Sequence, residues 1–192
     1  MRGLVFDIET ADVFSGDKKN PEDLTLAVVA VYSYPDDIYE AYTQETLPDL
    51  WNLMRSVDTL IGFNNNHFDT PLLNKYAPMD LTKEYRSIDI LESVRQSLGR
   101  RIRLDWIAEG TLGEKKSGDG LQSVTWWNNG EVEKVKQYCI DDVKITKQIF
   151  DYAKKHGALK YADLGSVHTI PVDTSTWDNT PDTPEQASVG LF

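Results

Sequence analysis

The 192-residue sequence predicts an α/β fold: one mixed sheet with helices packed against it. Two observations carry this. Three β-prone runs come first, over residues 3–9, 24–34 and 38–42. Later apolar runs then alternate with segments whose apolar residues recur at helical spacing. Antiparallel strands leading into strands separated by helices make a mixed sheet that those helices cover.

Each element has its own justification. Over residues 3–9, Leu4, Phe6 and Ile8 fall on one strand face and Asp7 and Glu9 on the other. The β-branched run 24–34 suits a buried central strand. Pro35, Asp36 and Asp37 make a turn into a third, antiparallel strand at 38–42. Helical spacing covers 46–56, with Thr46 as N-cap and Pro48 in the first turn. Residues 59–63 read as a fourth strand, followed by a helix from Asp69 to Tyr76. A short strand at 87–90 precedes helices at 91–98 and 104–112, divided by Gly99. The longest helix is expected over 131–155. Beyond Gly157, residues 159–161 and 167–172 flank Asp163, Leu164, Gly165 and Ser166 as a small hairpin. The stretch from Asp173 to Glu185 is acidic and rich in Thr and Pro, a composition that cannot offset its ordering entropy. The chain thus divides into a domain over 1–172 and a disordered tail over 173–192. This order of strands and helices is that of the ribonuclease H-like architecture.

One cysteine excludes an internal disulfide and fits a reducing cytoplasm. No window approaches the roughly 18–20 apolar residues of a membrane span. A strand within three residues of the start leaves no room for a signal peptide, so a cytoplasmic protein with no membrane partner is expected. The net charge of −11 argues against nucleic acid, but the acids are unevenly placed. From Arg95 to Lys116, six basic residues (Arg95, Arg100, Arg101, Arg103, Lys115, Lys116) stand against three acids (Asp105, Glu109, Glu114). Bound cations at an acidic site would also reverse the local field.

Three short motifs carry the chemistry. Asp7 and Glu9 on one strand face repel each other unless a cation sits between them. After the 59–63 strand, Asn65, His67 and Phe68 lead to another acid, Asp69. Tyr138 and Asp142 lie at i and i+4, on one face of the long helix.

In order and spacing these motifs resemble the DEDD superfamily of 3′–5′ exonucleases, which includes polymerase proofreading domains and RNA-trimming enzymes. Phe6 to Thr10 resembles its first motif, Asn65-x3-Asp69 its second and Tyr138-x3-Asp142 its third. The histidine variant of the third motif has His five positions before the last Asp. Gln137 stands there, so the tyrosine subfamily fits. The stretch 113–121, with Tyr138, Cys139 and Asp142 downstream, is most similar to stand-alone proteins related to the exonuclease domain of family B DNA polymerases.

The resemblance implies two ions, Mg²⁺ or Mn²⁺, about 3.5–4 Å apart and held by hard oxygen ligands. It makes Asp7, Glu9, Asp69 and Asp142 the metal-binding and catalytic acids. Asp7 would bridge the ions, Glu9 and Asp142 complete one site, and Asp69 support the other. Tyr138, with an ordinary pKa of about 10, would orient the attacking water rather than act as a base. Thr10, Asn65, Phe68, Lys115 and Lys116 are the implied substrate contacts.

Blander roles stand beside these. Asp69 can also N-cap the helix that follows it, and Tyr138 can be a core aromatic. Asp141 is read as a solvated neighbour of Asp142, and His67 and Cys139 as packing residues. Trp126 and Trp127 either stack on bases or pack.

The last seven residues, Gln186 to Phe192, resemble the bacterial sliding-clamp-binding peptide Gln-x-x-(aliphatic)-x-Leu-Phe. Gln186 would hydrogen-bond at the rim of a groove while Val189, Leu191 and Phe192 fill apolar pockets. Val189 stands where Leu is more usual. Together these readings point to a metal-dependent 3′–5′ exonuclease acting on single-stranded ends, DNA before RNA, and recruited by a sliding clamp. The alternatives are an RNA-trimming exoribonuclease and a non-catalytic clamp-binding module.

Overall fold

The computed structural model describes residues 1–114, 120–163 and 165–178. Five strands form the main sheet: β1 (Gly3–Thr10), β2 (Leu26–Ser33), β3 (Ile38–Tyr42), β4 (Thr59–Gly62) and β5 (Arg86–Asp89). Their order is β3-β2-β1-β4-β5. β1, β2 and β3 pair antiparallel, while β1 with β4 and β4 with β5 pair parallel. The sheet is therefore mixed and flanked by helices, as the run of elements implied.

The alternation in β1 divides the interior in two. Leu4, Phe6 and Ile8 join Leu50, Met54, Leu72 and Leu81 in one apolar layer. That layer lies under α1 (Leu47–Met54), α2 (Asp69–Asn74) and α3 (Leu81–Glu84). Val5 faces the other way with Val28, Ala30 and Ile61, into a core closed by α4 (Ile90–Leu98), α5 (Leu104–Leu112) and α7 (Val132–His156). Helix α6 (Gly120–Asn128) packs beside α7. Helix α7 buries Val135, Cys139, Val143, Ile149, Phe150 and Ala153, the i, i+3, i+4 stripe of a helix lying on a sheet. Gly157 ends it with φ 63°, and Lys154, Lys155 and His156 in its last turn complement the helix dipole.

A separate hairpin, β6 (Ala158–Asp163) with β7 (Ser166–Pro171), packs on α5. Gly110 makes that approach possible. A Cβ there would lie 2.5 Å from the Tyr161 backbone, so any side chain would push the hairpin away.

Several expectations need correcting. The hydroxyl of Thr46 does not cap α1; it accepts from the Thr43 N–H, and residues 44–46 form a short 3-10 turn. Helix α2 ends at Asn74, and neither α3 nor α6 was foreseen. His67, read as a packing residue, is exposed. The expected boundary at residue 172 also falls too early. Trp177 is buried and stacks on Phe150 with ring centroids 4.9 Å apart and planes 9° from parallel. Lys154 pairs with Asp178, and Arg86 donates to the Thr176 carbonyl. One large aromatic ring supplies apolar contact that the average composition of residues 173–185 conceals. Residues 179–192 lie outside the described residues.

Candidate active site

β1 pairs with β4 only over Gly3–Val5, so its acidic half runs on past the end of β4. What stops β4 is a tight turn. A Cβ on Gly62 would sit 2.6 Å from the Asn65 Cβ, and Asn64 adopts φ 71°, a left-handed conformation that Asn tolerates. The Asp89 carboxylate holds this turn, accepting from the N–H groups of Asn64 (2.9 Å) and Asn66 (3.1 Å). It also caps α4 through Glu92 N–H (3.3 Å).

The turn delivers Asp69 as the first residue of α2, with Phe68 at the cap position. The Asp69 side chain therefore does not cap the helix. Its Oδ1 accepts the backbone N–H of Ile8 at 3.1 Å, beyond the last β1–β4 pair.

From the opposite side, α7 presents Tyr138 and Asp142 to β1, both buried. Asp7, Glu9 and Asp142 converge, each offering a carboxylate oxygen within 4.8 Å of the others. Cys139 sits between these two elements, its thiol donating to the Asp7 carbonyl at 3.3 Å. Burial, with Asp7, Glu9 and Asp142 nearby, pushes that thiol well above its usual range, so it stays protonated and offers no soft thiolate ligand. The donor set is hard oxygen, the kind that Mg²⁺ and Mn²⁺ prefer.

These side chains line a cleft of about 530 Å³. Its acidic part is Asp7, Glu9, Asp69 and Asp142; Val13, Phe14, Phe68, Leu121 and Val124 add an apolar part. Phe14 and Phe68 meet edge to face at 6.2 Å. The loop carrying Val13 and Phe14 is tied down by Asp12, which accepts from the N–H and hydroxyl of Thr25 and pairs with Lys18. Partial burial raises the Asp12 pKa, but the Lys18 and Thr25 hydrogen bonds outweigh that and leave it lowered.

Asp69 sits in an unfavourable setting for a charge. Burial pushes its carboxyl up to about 8, and Asp89 and Glu9 add to the shift against the opposing N–H bonds. A cation in the cleft would reverse this penalty by favouring the ionised form. Both the crowded carboxylates and this raised pKa fit a divalent metal centre.

Of the acids expected at the site, three converge and Asp69 shares their cleft. Tyr138 and Thr10 line it too; Thr10 donates its hydroxyl to the Asp12 carbonyl, and Tyr138 packs edge-on to Trp126. Phe68 is on the apolar side. Asn65 does not line the cleft: its side chain is fully buried and its amide donates to the Ser87 hydroxyl at 2.9 Å. The tight turn puts Asn64 in the cleft wall instead, one position earlier. Trp126 and Trp127 pack against the α7 core. Lys115, Lys116, Gln186, Val189, Leu191 and Phe192 lie outside the described residues.

One contributor went unnoticed in the sequence. Ser123, on α6 and fully buried, donates its hydroxyl to Glu9. Nothing local to Ser123 marks it, because its partner lies 114 residues away.

The sequence signature of the RNase_H superfamily matches residues 4–154, a span containing all four acids and Tyr138. The chain belongs to the RNase H superfamily. It is 26% identical over 204 aligned positions to a DNA polymerase of Archaeoglobus fulgidus, covering 92% of this chain and 25% of that protein. The structure of the family B DNA polymerase from Pyrobaculum calidifontis superposes with a TM-score of 0.57 at 20% identity, over 80% of this chain and 24% of the polymerase. At that identity the structural likeness concerns the fold alone. The chain spans about a quarter of the length of either polymerase. Among the described residues, no helix is long and apolar enough to cross a membrane.

Proposed function

We propose that this RNase H superfamily member is a metal-dependent 3′–5′ exonuclease acting on single-stranded DNA ends. The observation that carries the reading is the convergence of Asp7, Glu9 and Asp142, with Asp69 in the same cleft. Asp7, which is only half-buried, would serve two ions. Glu9 and Asp142 would complete one site and Asp69 support the second. Two divalent cations bound there supply Lewis acidity and lower the pKa of a bound water.

The chain's own groups do the rest. Ser123 fixes the Glu9 carboxylate, and Ile8 N–H fixes that of Asp69. Tyr138, beside Asp142 on α7, orients the attacking water through its hydroxyl. Thr10 and Phe68 contact the terminal nucleotide, with Asn64 taking the place first given to Asn65. The apolar wall suits an unstacked base, which offers a π-face to Phe14 and Phe68.

The similarity to the Archaeoglobus fulgidus DNA polymerase supports DNA as substrate. So does the 186–192 segment, whose pattern resembles a sliding-clamp-binding peptide and suggests recruitment to DNA by that clamp. The test is digestion of single strands labelled at one end or the other, in Mg²⁺. A ladder shortening toward a 5′ label, with mononucleotide released from a 3′ label, is expected. Internal fragments would make the enzyme an endonuclease, preference for RNA would favour the trimming reading, and inertness on both would favour a binding module.

A further inference from the structure

An acidic nuclease must still hold a polyanion, and the structure shows where cations are left over for it. Much of the described basic surface is neutralised locally: Lys18 by Asp12, Arg103 by Asp105, Lys144 by Asp141 and Lys147 by Asp151. Arg95 and Arg101, like Lys19, Arg55, Lys75, Arg100, Lys155 and Lys160, are not. Arg95 and Arg101 are both exposed.

These two arginines share a small groove with His67 and Asn64. Arg101 donates to the Asn64 side-chain oxygen at 2.6 Å, and Asn64 is also part of the active-site cleft wall. The groove and the cleft thus share Asn64 as a wall. The groove's two acids are each held by neutral donors. Asp89 is buried and accepts from three backbone N–H groups, and Glu92 accepts from the Asn66 amide at 3.0 Å. Only one guanidinium N–H of Arg101 is used by Asn64, which leaves the others for a planar, bidentate oxyanion contact.

We propose that Arg95 and Arg101 form a phosphate track, along which the backbone of the single strand runs as it reaches the cleft past Asn64. The inference rests on the nuclease reading and adds the route by which the substrate is held. Guanidinium–phosphate contacts carry no sequence information, which suits an enzyme that removes successive nucleotides. They also explain how a chain of net charge −11 can grip nucleic acid at one place on its surface.

The test is the salt dependence of binding. Fluorescence anisotropy of a short labelled single-stranded DNA, in EDTA to arrest metal-dependent cleavage, gives Kd between about 50 and 200 mM salt. Each phosphate contact on a single strand contributes roughly 0.7 to the slope of log K against log salt. The Arg95→Ala/Arg101→Ala protein is therefore expected to lose about 1.4 of that slope, and to bind roughly tenfold more weakly at the lowest salt. Arg95→Lys/Arg101→Lys keeps the charge but loses the Asn64 contact, and should retain most of the slope. Lys134→Ala, removing an exposed cation paired with Glu131, should leave the slope unchanged. A double alanine variant with the wild-type slope would overturn the track. So would an equal loss of slope in the double lysine variant, which would reduce Arg101 to a brace for the turn. Wild-type protein that neither binds nor cleaves any single strand would sink the nuclease reading and the track together.

Discussion

Asp69 Oδ1 accepts the backbone N–H of Ile8 at 3.1 Å, at the point where β4 has ended and β1 continues. The carboxylate satisfies a buried donor that the missing strand would otherwise have taken. One residue thereby serves both the sheet and the site. Its two roles separate by substitution. Asp69→Asn keeps an acceptor for Ile8 and removes a buried charge, so its melting temperature without metal should match or exceed the wild type. Asp69→Ala leaves the N–H unmet, at a cost of about 1–3 kcal/mol. Both should lose most nuclease activity. Thermal melts beside digestion assays check this, and an active Asp69→Asn protein would restrict the residue to a structural role.

Ser123 and Tyr138 should separate in a different way. Ser123 positions Glu9, so Ser123→Ala is expected to weaken Mn²⁺ binding by roughly tenfold, as loss of a ligand's hydrogen-bond partner does. Tyr138→Phe should leave Mn²⁺ affinity intact but slow cleavage by roughly 10–10³-fold, the loss of a positioned group in the transition state. Calorimetry and single-turnover rates on both variants distinguish the roles. Lost metal affinity in Tyr138→Phe would mean that its hydroxyl supports the ligands and not the water.

Trp177 anchors a segment whose composition looks unfoldable. Trp177→Ala removes a ring stacked on Phe150 and should lower stability by about 3–5 kcal/mol, within the range for large aromatic truncations. Denaturant unfolding measures it. A change of only a few tenths would show that residues 173–178 contribute little to the packed domain.

The last seven residues make a separate prediction. A peptide covering 186–192 should bind a bacterial sliding clamp, and Leu191→Ala with Phe192→Ala should abolish retention of the protein on that clamp. Digestion of short free oligonucleotides should not slow, because a tether raises local concentration without altering chemistry. Equal retention of wild type and double variant in a pull-down would remove the clamp from the picture.

What could be read from the sequence was what repeats locally. The alternation of Leu4, Phe6 and Ile8 with Asp7 and Glu9 gave the strand and its two faces, and the i, i+4 spacing of Tyr138 and Asp142 gave their shared helix face. Such periods survive because one side of each element packs against a core. Contacts set by tertiary approach left no local mark: Ser123 on Glu9, Asp89 across the 64–66 turn, and Trp177 on Phe150. That Asn64 and not Asn65 lines the cleft has the same origin. Both are Asn beside a third, and only the left-handed turn at Asn64 decides which one faces the cleft.

The central claim is that carboxylates brought together from β1, α2 and α7 form one metal-dependent hydrolytic centre. The most direct measurement is the rate of release of nucleotides from a labelled single-stranded DNA in Mg²⁺, Mn²⁺ and EDTA. It should be made for the wild type and for Asp7→Ala, Glu9→Ala, Asp69→Ala and Asp142→Ala. Cleavage that vanishes in EDTA, returns with either metal, and is almost lost in each variant without the losses adding is the expected result, because the acids act as a unit. Undiminished cleavage in EDTA, or an Asp7→Ala protein as active as the wild type, would contradict it.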